Sequence, residues 1–351
     1  MGFILHLKGI TQGSKKGGLQ VTKRPLNVLS LFDGMSCTQI ALKNANLNIN
    51  KYYSSEVDKY AIKVTQSNFP GTIQLGDIRE IKKEHIKEDI DLLICGFPCQ
   101  DLSLASHNRK GLKGERSGLF FEAIRLLKEI KPKYFFFENV RMTEDNQNII
   151  NNILGCKPHI INSSLLSAQN RLRFYWSNLK PSKIKDLNIN LKDILESGFV
   201  DREKSYCIDA NYSKGGNLKN YFEKFRRQLI FENKNSILHH VGDAEKFAHY
   251  NFRSTKAVYH VEGKSPTLLT MGGGNREPKV ATYSKHGGKI VNLTSKEYEN
   301  LTWRKLTPLE CERLQTVPDN YTNHVSNSQR YKMLGNGFTV SVIQKFVENI
   351  S

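Results

Sequence analysis

The run Asp91-Leu92-Leu93-Ile94-Cys95-Gly96-Phe97-Pro98-Cys99-Gln100 constrains the fold more than any other stretch of the chain. Its apolar first half has the pattern of a buried strand. Gly96 and Pro98 end it, because glycine tolerates a sharp turn and proline lacks the N–H that a ladder needs. Comparable runs stand at 26–32, 51–56, 72–75 and 133–137, with helical patterns at 38–44 and 119–130. Strands alternating with helices predict the α/β class, with a doubly wound sheet whose ligands sit beyond the carboxyl ends of the strands.

Cys99 falls at that edge. A helix beginning at 100–104 would lower its pKa and make it a thiolate nucleophile, although Asp101 opposes the effect; the alternative is a small apolar filler. The first strand ends in Asp33-Gly34, the second in Glu56, the third in Gly76-Asp77-Ile78. The turn after the first strand is not G-x-G-x-x-G, so a dinucleotide fingerprint is absent. Three acids at one edge suit a ligand with hydroxyls, an adenine amino group and a positive centre, and repel phosphates. Each alone also reads as a helix cap or turn former. Glu138, after the fifth strand, is a carboxyl set against apolar strands. Burial would raise its pKa and let it donate a proton to a ring nitrogen; a salt-bridged or solvated Glu is the alternative. Further on, a period of two puts Gln169, Arg171 and Arg173 on one strand face and Leu172 and Phe174 on the other. Such a face can hold Glu138, a base carbonyl or a phosphate, or form a surface ion pair.

Charge narrows the partner. Lys and Arg number 52 against 34 Asp and Glu, a formal +18 over 351 residues, which favours nucleic acid before membrane. The six cysteines form no CxxC pair and no zinc spacing, so no metal is expected. With no secretory signal and no apolar run long enough to span a bilayer, a cytoplasmic, reduced protein is expected.

Three parts are expected. Residues 1–24 carry five cations, no acid and scattered glycines, as a basic arm or short hairpin. Residues 25–179 with 304–351 form the α/β domain. Within it, 103–118 reads as a basic closing lid. Thr307, Pro308 and Glu310 cap a helix reaching Leu314, and 334–340 open a last helix over 340–348 that packs on the sheet. From 180 to 303 the strand–helix rhythm fails, giving a smaller, mostly irregular domain. In it 212–227 interleaves cations with aromatics, as for nucleic-acid backbone or as an amphipathic helix, and 264–278 pairs an apolar strand with a glycine loop.

Asp33-Gly34, Gly96-Phe97-Pro98-Cys99-Gln100, Glu138-Asn139-Val140, Gln169-x-Arg171-x-Arg173 and Gly335-Asn336-Gly337 occur in the order and spacing of the cytosine-5 DNA methyltransferases. The chain resembles that family over 26–178 and 304–346. Locally, at Asp101-Leu102-Ser103 and Gly118-Leu119-Phe120-Phe121-Glu122, it is similar to the animal de novo enzymes. The resemblance implies a Rossmann-like fold that binds S-adenosylmethionine. Phe32, Asp33 and Gly34 would line its methionine side, with Glu56 and Val57 at the ribose and Asp77 and Ile78 at the adenine. Pro98, Asn336, Gly337 and Phe338 would close the pocket; Gly337 stands where the family often has Ser. It further implies Cys99 as nucleophile, Glu138 as proton donor, and Arg171 and Arg173 as their partners, acting on a cytosine flipped out of double-stranded DNA. Residues 180–303 would be the target-recognition domain. DNA contacts are expected from Gln100, Ser103, Arg109, Lys110, Gln169, Thr267 and Leu268. A monomer serving restriction-modification, beside a cognate endonuclease, or phage self-protection is expected. The alternatives are a tRNA-directed relative and a non-catalytic DNA binder. Amino-methylation is disfavoured by the lack of an Asp/Asn-Pro-Pro-Tyr stretch.

Overall fold

The computed structural model describes residues 24–98, 115–224, 226–232 and 302–350, together with three short strands at 240–243, 257–259 and 279–280. A seven-stranded sheet organises the described residues. Its strands are β1 (Leu26–Leu31), β2 (Ile49–Ser55), β3 (Ile73–Gln74), β4 (Leu92–Gly96), β5 (Tyr134–Val140), β6 (His159–Asn162) and β7 (Leu172–Ser177). They lie in the order β3-β2-β1-β4-β5-β7-β6. All pairs from β3 to β5 are parallel; β7 runs antiparallel to both β5 and β6. The chain winds outward to β3, then returns to set β4 beside β1. The crevice between the carboxyl ends of β1 and β4 is therefore the topological switch point, where such sheets bind ligands.

Alternation along the strands fills two cores. Val28, Leu92, Ile94 and Phe136 point to one face, where α1 (Cys37–Asn44) supplies Ile40 and Ala41, and α8 (Val340–Val347) supplies Ile343 and Phe346. Leu29, Leu93, Cys95 and Phe137 point to the other, against Phe120, Ala123 and Ile124 of α3 (Glu115–Ile130). A strand buried on both faces needs an apolar residue at every position, which is what the run 92–95 provides. The remaining helices of this layer are α2 (Lys59–Asn68) and α4 (Glu144–Leu154).

Near the C-terminus, α6 (Pro308–Leu314) carries the expected capping box: Thr307 and Glu310 each bond the other's backbone N–H, with Pro308 at the first position. One expectation fails. Residues 334–336 do not open the last helix but end α7 (Asn327–Asn336), a helix that weak apolar patterning had hidden. Its buried side is Arg330, Met333 and Leu334, and Arg330 is neutralised by the fully buried Glu312.

The segment after residue 180 keeps contributing to the first core: Leu191, Ile194, Ile208, Tyr212 and Ile230 belong to the apolar cluster of α1 and α8. Two aromatics of 212–227, Tyr212 and Tyr221, read as facing nucleic acid or as part of an amphipathic helix, are core. Tyr212 is buried and bonds the Gln228 carbonyl; Tyr221, on α5 (Leu218–Lys224), packs on Phe231 of β8 (Leu229–Phe231). Lys224 and Arg226 remain exposed. Strands β9 (His240–Asp243), β10 (Ala257–Tyr259) and β11 (Lys279–Val280) form a small sheet. Strand β12 (Trp303–Lys305) pairs antiparallel with β8.

Candidate active site

At the end of β1 the backbone takes the left-handed conformation at every second residue: Phe32 (φ 55°), Gly34 (φ 57°) and Ser36 (φ 61°). For Phe and Ser this costs of order 1–3 kcal/mol each, and such strain persists where surroundings over-determine it. Those surroundings are visible. The Asp33 carboxylate turns inward, fully buried, and accepts from Ser36 Oγ, from Tyr52 OH at 2.7 Å and from Ser54 Oγ at 3.0 Å. Burial raises its pKa, and the hydroxyls counter that only in part. Asp33 is thus the fastening of the loop, its carboxylate spent on internal hydroxyls.

Glu56 does reach the edge. Its Oε2 accepts from Gly34 N at 2.8 Å, and its Oε1 from the N–H groups of Val57 and Asp58, each at 2.8 Å. Three backbone donors fix the carboxylate at the β2 terminus beside the β1 loop. Val57 follows with 70% of its surface exposed, an unusual place for an apolar side chain. Asp77 caps a 3-10 turn through Arg79 N at 3.0 Å and pairs with the Arg79 guanidinium, which holds its carboxyl below the usual range. Ile78 is buried. Above Gly34 a Cβ would meet no atom within 4 Å, so the loop borders open space.

The C-terminal segment closes on the same place. Tyr321 OH donates to the Met35 carbonyl at 2.7 Å, and Lys332 pairs with Asp58 at 2.6 Å. The Phe338 ring lies across Gly96: a Cβ there would stand 2.5 Å from its Cζ. A Cβ on Gly337 would meet the Met333 carbonyl oxygen at 3.0 Å and Met35 Cε at 3.1 Å, which gives a packing reason for glycine there. Asn336 is exposed, Gly337 half-buried and Phe338 buried. Sequence positions 32–36, 96–98 and 336–338 therefore meet at the switch point.

Beside it, Gly96 pairs with Glu138 across the β4–β5 ladder, and Val140 pairs with Arg173 across β5–β7. Pairing with β7 carries β5 three residues past its apolar run, so that Glu138-Asn139-Val140 lie within the strand. Glu138 Oε1 is 3.1 Å from Arg173 Nε, both side chains largely covered. Burial raises the Glu138 pKa and outweighs the opposing pull of Arg173 and Arg171. Protonation of this carboxyl is therefore easier than for a solvated glutamate. Arg171 donates to the Gly337 carbonyl at 2.9 Å and to the Gly335 and Ile208 carbonyls at 3.3 Å. It ties β7 to the C-terminal segment. Cys95, fully buried and close to Glu138, has its thiol pushed well above the ordinary value, which leaves it inert.

Gln169 takes a different place from the one expected. It is completely buried; its Oε1 accepts from Ile208 N at 2.8 Å, and its amide nitrogen faces Leu314 O and Gln315 Oε1 at 3.4 Å. A side chain so engaged cannot reach DNA. The residue lies just before β7, and the period of two located its face without revealing that the helical segment covers it. Cys99, Gln100, Ser103, Arg109, Lys110, Thr267 and Leu268 lie outside the described residues, as do the arm before Arg24, the helix start at 100–104, lid residues 103–114 and the loop at 264–278. Pro98 is the last described residue before Cys99, half-buried.

Two positioning groups escaped the sequence reading. Asn139, buried, donates to the Phe97 carbonyl at 3.0 Å and so pins the turn that leads to Cys99. Gln315 donates to the Leu334 and Gly337 carbonyls at 2.7 and 3.2 Å and accepts from Thr339 Oγ1 at 2.8 Å, holding the 334–339 turn. Only the neighbouring Glu-Asn-Val motif signalled the first; nothing signalled the second. Among the described residues there is no group of His, Cys, Asp and Glu able to hold a metal, and no helix long and apolar enough to cross a membrane.

The profile of the C-5 cytosine-specific DNA methylases matches residues 26–351. The chain is 30% identical over 356 residues to the type II methyltransferase M.HhaI of Haemophilus parahaemolyticus, across 93% of this chain and 94% of that protein. It is 28% identical over 431 residues to the orphan methyltransferase M.SPBetaI of Bacillus phage SPbeta, across 93% and 97%. Among solved structures, a DNMT2 variant of Spodoptera frugiperda is similar with a TM-score of 0.57 at 18% identity, over 92% of this chain and 98% of that one. At that identity the likeness is one of fold.

Proposed function

The chain belongs to the C-5 cytosine-specific DNA methylase family, and from that premise we propose that it methylates carbon 5 of a cytosine flipped out of double-stranded DNA, through a transient bond to Cys99. The observation that carries this reading is the cross-strand pairing of Gly96 with Glu138. It sets a buried carboxyl, its pKa raised by burial, beside the strand end that Cys99 follows in sequence.

S-adenosylmethionine fits the switch point as it stands. The open space over Gly34, the Glu56 carboxylate and exposed Val57 at one edge, and a turn after β1 that is not G-x-G-x-x-G suit a nucleoside with a cationic centre. Phe32, Gly34, Glu56, Val57, Asp77, Ile78, Pro98, Asn336, Gly337 and Phe338 would hold it, with Asp33 shaping the loop. When bound, it supplies an electrophilic methyl group.

Carbon 5 of cytosine is a weak nucleophile until carbon 6 carries an electron-rich substituent. Cys99 thiolate adds there, Glu138 donates its proton to ring nitrogen 3, and the ring becomes an enamine at carbon 5. Arg173 orients Glu138 and offers donors to the base carbonyl; Arg171 fixes the turn beneath. Once carbon 5 has taken up the methyl group, loss of its proton expels the Cys99 thiolate and restores the ring double bond, and ring nitrogen 3 returns its proton to Glu138. None of these atoms is reachable inside a stacked duplex, so the base must leave it, at a cost of a few kcal/mol. The target-recognition segment is placed within 180–303, and DNA contacts at Gln100, Ser103, Arg109, Lys110, Thr267 and Leu268. The role is restriction-modification, with a partner endonuclease, or self-protection of a phage genome, and the working form is a monomer.

Transfer of labelled methyl groups tests the reading. Double-stranded DNA should be the acceptor, tRNA should not, and Cys99→Ser should transfer none. Preferred labelling of tRNA, or full activity of Cys99→Ser, would overturn it.

A further inference from the structure

Cys207 is used nowhere in that scheme, yet it lies among the groups that serve it. Arg171 Nη1 donates to its sulfur at 3.3 Å, and Arg173 Nη2 approaches the same sulfur at 3.8 Å. On the far side of Arg173, Nε faces Glu138 Oε1 at 3.1 Å, while Nη1 donates to the Leu172 carbonyl at 2.8 Å. The guanidinium is thereby gripped on three sides. The next residue, Ile208, takes a further bond from Arg171 through its carbonyl, so one short stretch, 207–208, holds both Arg171, just before β7, and Arg173, within it.

We infer that Cys207 is a positioning residue for methyl transfer, its sulfur fixing the plane of the Arg173 guanidinium so that Nε stays aimed at Glu138. The inference rests on the roles proposed above for Glu138 and Arg173. Two guanidinium groups side by side repel each other, and a polarisable sulfur between them offsets that repulsion while accepting a bond from each. The environment is unlike that of Cys95. The two arginines lower the Cys207 pKa despite burial, whereas Cys95, beside Glu138, is pushed up. Without the sulfur, Arg173 keeps Glu138 as a partner but loses the contact that sets its rotation. A displacement of about 1 Å in such a group costs up to about a hundredfold in rate.

The experiment compares Cys207→Ala and Cys207→Ser with the parent by single-turnover methyl transfer, by Kd for S-adenosylmethionine and for target DNA, and by thermal unfolding. The alanine variant should slow transfer by about tenfold or more, as expected for losing a bond to a charged group. Both Kd values should stay within about twofold. The serine variant, whose hydroxyl accepts from the same place, should recover most of the rate. Parental rates in Cys207→Ala, or equal losses in both variants accompanied by weaker cofactor binding, would overturn the inference. Should the alanine variant not fold, Cys207→Val, which fills the space without an acceptor, takes its place; equal rates for valine and serine would overturn the inference as well. Covalent trapping of the parent by fluorocytosine DNA is run in parallel. An adduct at Cys99 with no effect at Cys207 sinks this inference alone; no adduct with the parent sinks the reading beneath it.

Discussion

Gly335→Ala is the most informative single perturbation of the scaffold. Gly335 lies in α7 with its Cα pressed against the Asp209–Ala210 peptide; a Cβ there would overlap the Asp209 carbonyl carbon and oxygen and the Ala210 nitrogen. These are backbone atoms, so no side chain can swing away. Ordinary contact distances require the two segments to part by about 1 Å. Arg171 spans that gap, with Nη1 on the Ile208 carbonyl and Nη2 on the Gly335 carbonyl, both at 3.3 Å. It cannot follow both, so at least one bond to a charged group is lost, worth about 1.5–3 kcal/mol. Overpacking strain adds about 1–3 kcal/mol. The expected destabilisation is about 2.5–6 kcal/mol, a large part of the net stability of an ordinary domain. Urea unfolding followed by tryptophan fluorescence measures it as a lower midpoint at unchanged slope. Arg171→Ala should add less to Gly335→Ala than it costs alone, because one of the bonds it removes is already broken. A Gly335→Ala variant with the parental midpoint would refute the claim that this contact sets the spacing of the two segments.

Other expectations follow from the same geometry. Glu138→Gln should lower kcat by about a hundredfold or more, the usual range for losing a general acid. Because burial raises the Glu138 pKa above 4.5, its contribution to stability is fully present below the ordinary value and is lost as pH rises through the raised one. The glutamine variant should lack that loss, and a parent and variant with parallel stability–pH curves would contradict the assignment. Val57→Ala should weaken S-adenosylmethionine binding by about tenfold, about what two buried methyl groups contribute, with unfolding unchanged; equilibrium dialysis reads it, and unaltered binding would remove Val57 from the pocket. Arg171→Lys should lose the forked bonds to the Gly335, Gly337 and Ile208 carbonyls and destabilise by about 2–3 kcal/mol, measured by urea unfolding; a parental midpoint would show those bonds to be dispensable.

Much of this arrangement is legible in the chain because its signals are local. The apolar run at 92–95 specifies a strand buried on both faces, and Thr307, Pro308 and Glu310 specify a helix start whose bonds lie within four residues. The face shared by Arg171 and Arg173 follows from strand periodicity alone. What escapes is decided by distant packing. Asp33, Glu56 and Asp77 look equivalent as acids after strands, yet one is turned inward by Tyr52 and Ser54, one is displayed by three backbone donors and one caps a turn. Gln169 is covered by Leu314 and Gln315, almost 150 residues away in sequence. Tyr212 and Tyr221 read as an aromatic-basic stripe, but a tyrosine that bonds a buried carbonyl packs inward as readily as a leucine. The helix over 327–336 was hidden by its polar exposed face, and its buried side includes an arginine whose partner, Glu312, lies on another helix.

The central claim is that a sulfur at the end of β4 bonds transiently to the base beside Glu138. Incubating the protein with S-adenosylmethionine and target DNA carrying 5-fluorocytosine blocks the last step, since fluorine cannot leave as a proton does. Digestion and mass spectrometry then locate the bond. A fluorinated, methylated cytosine attached to the peptide containing Cys99 is the predicted result. Attachment at any other side chain, or undiminished methylation of ordinary DNA with no adduct formed on the analogue, would contradict it.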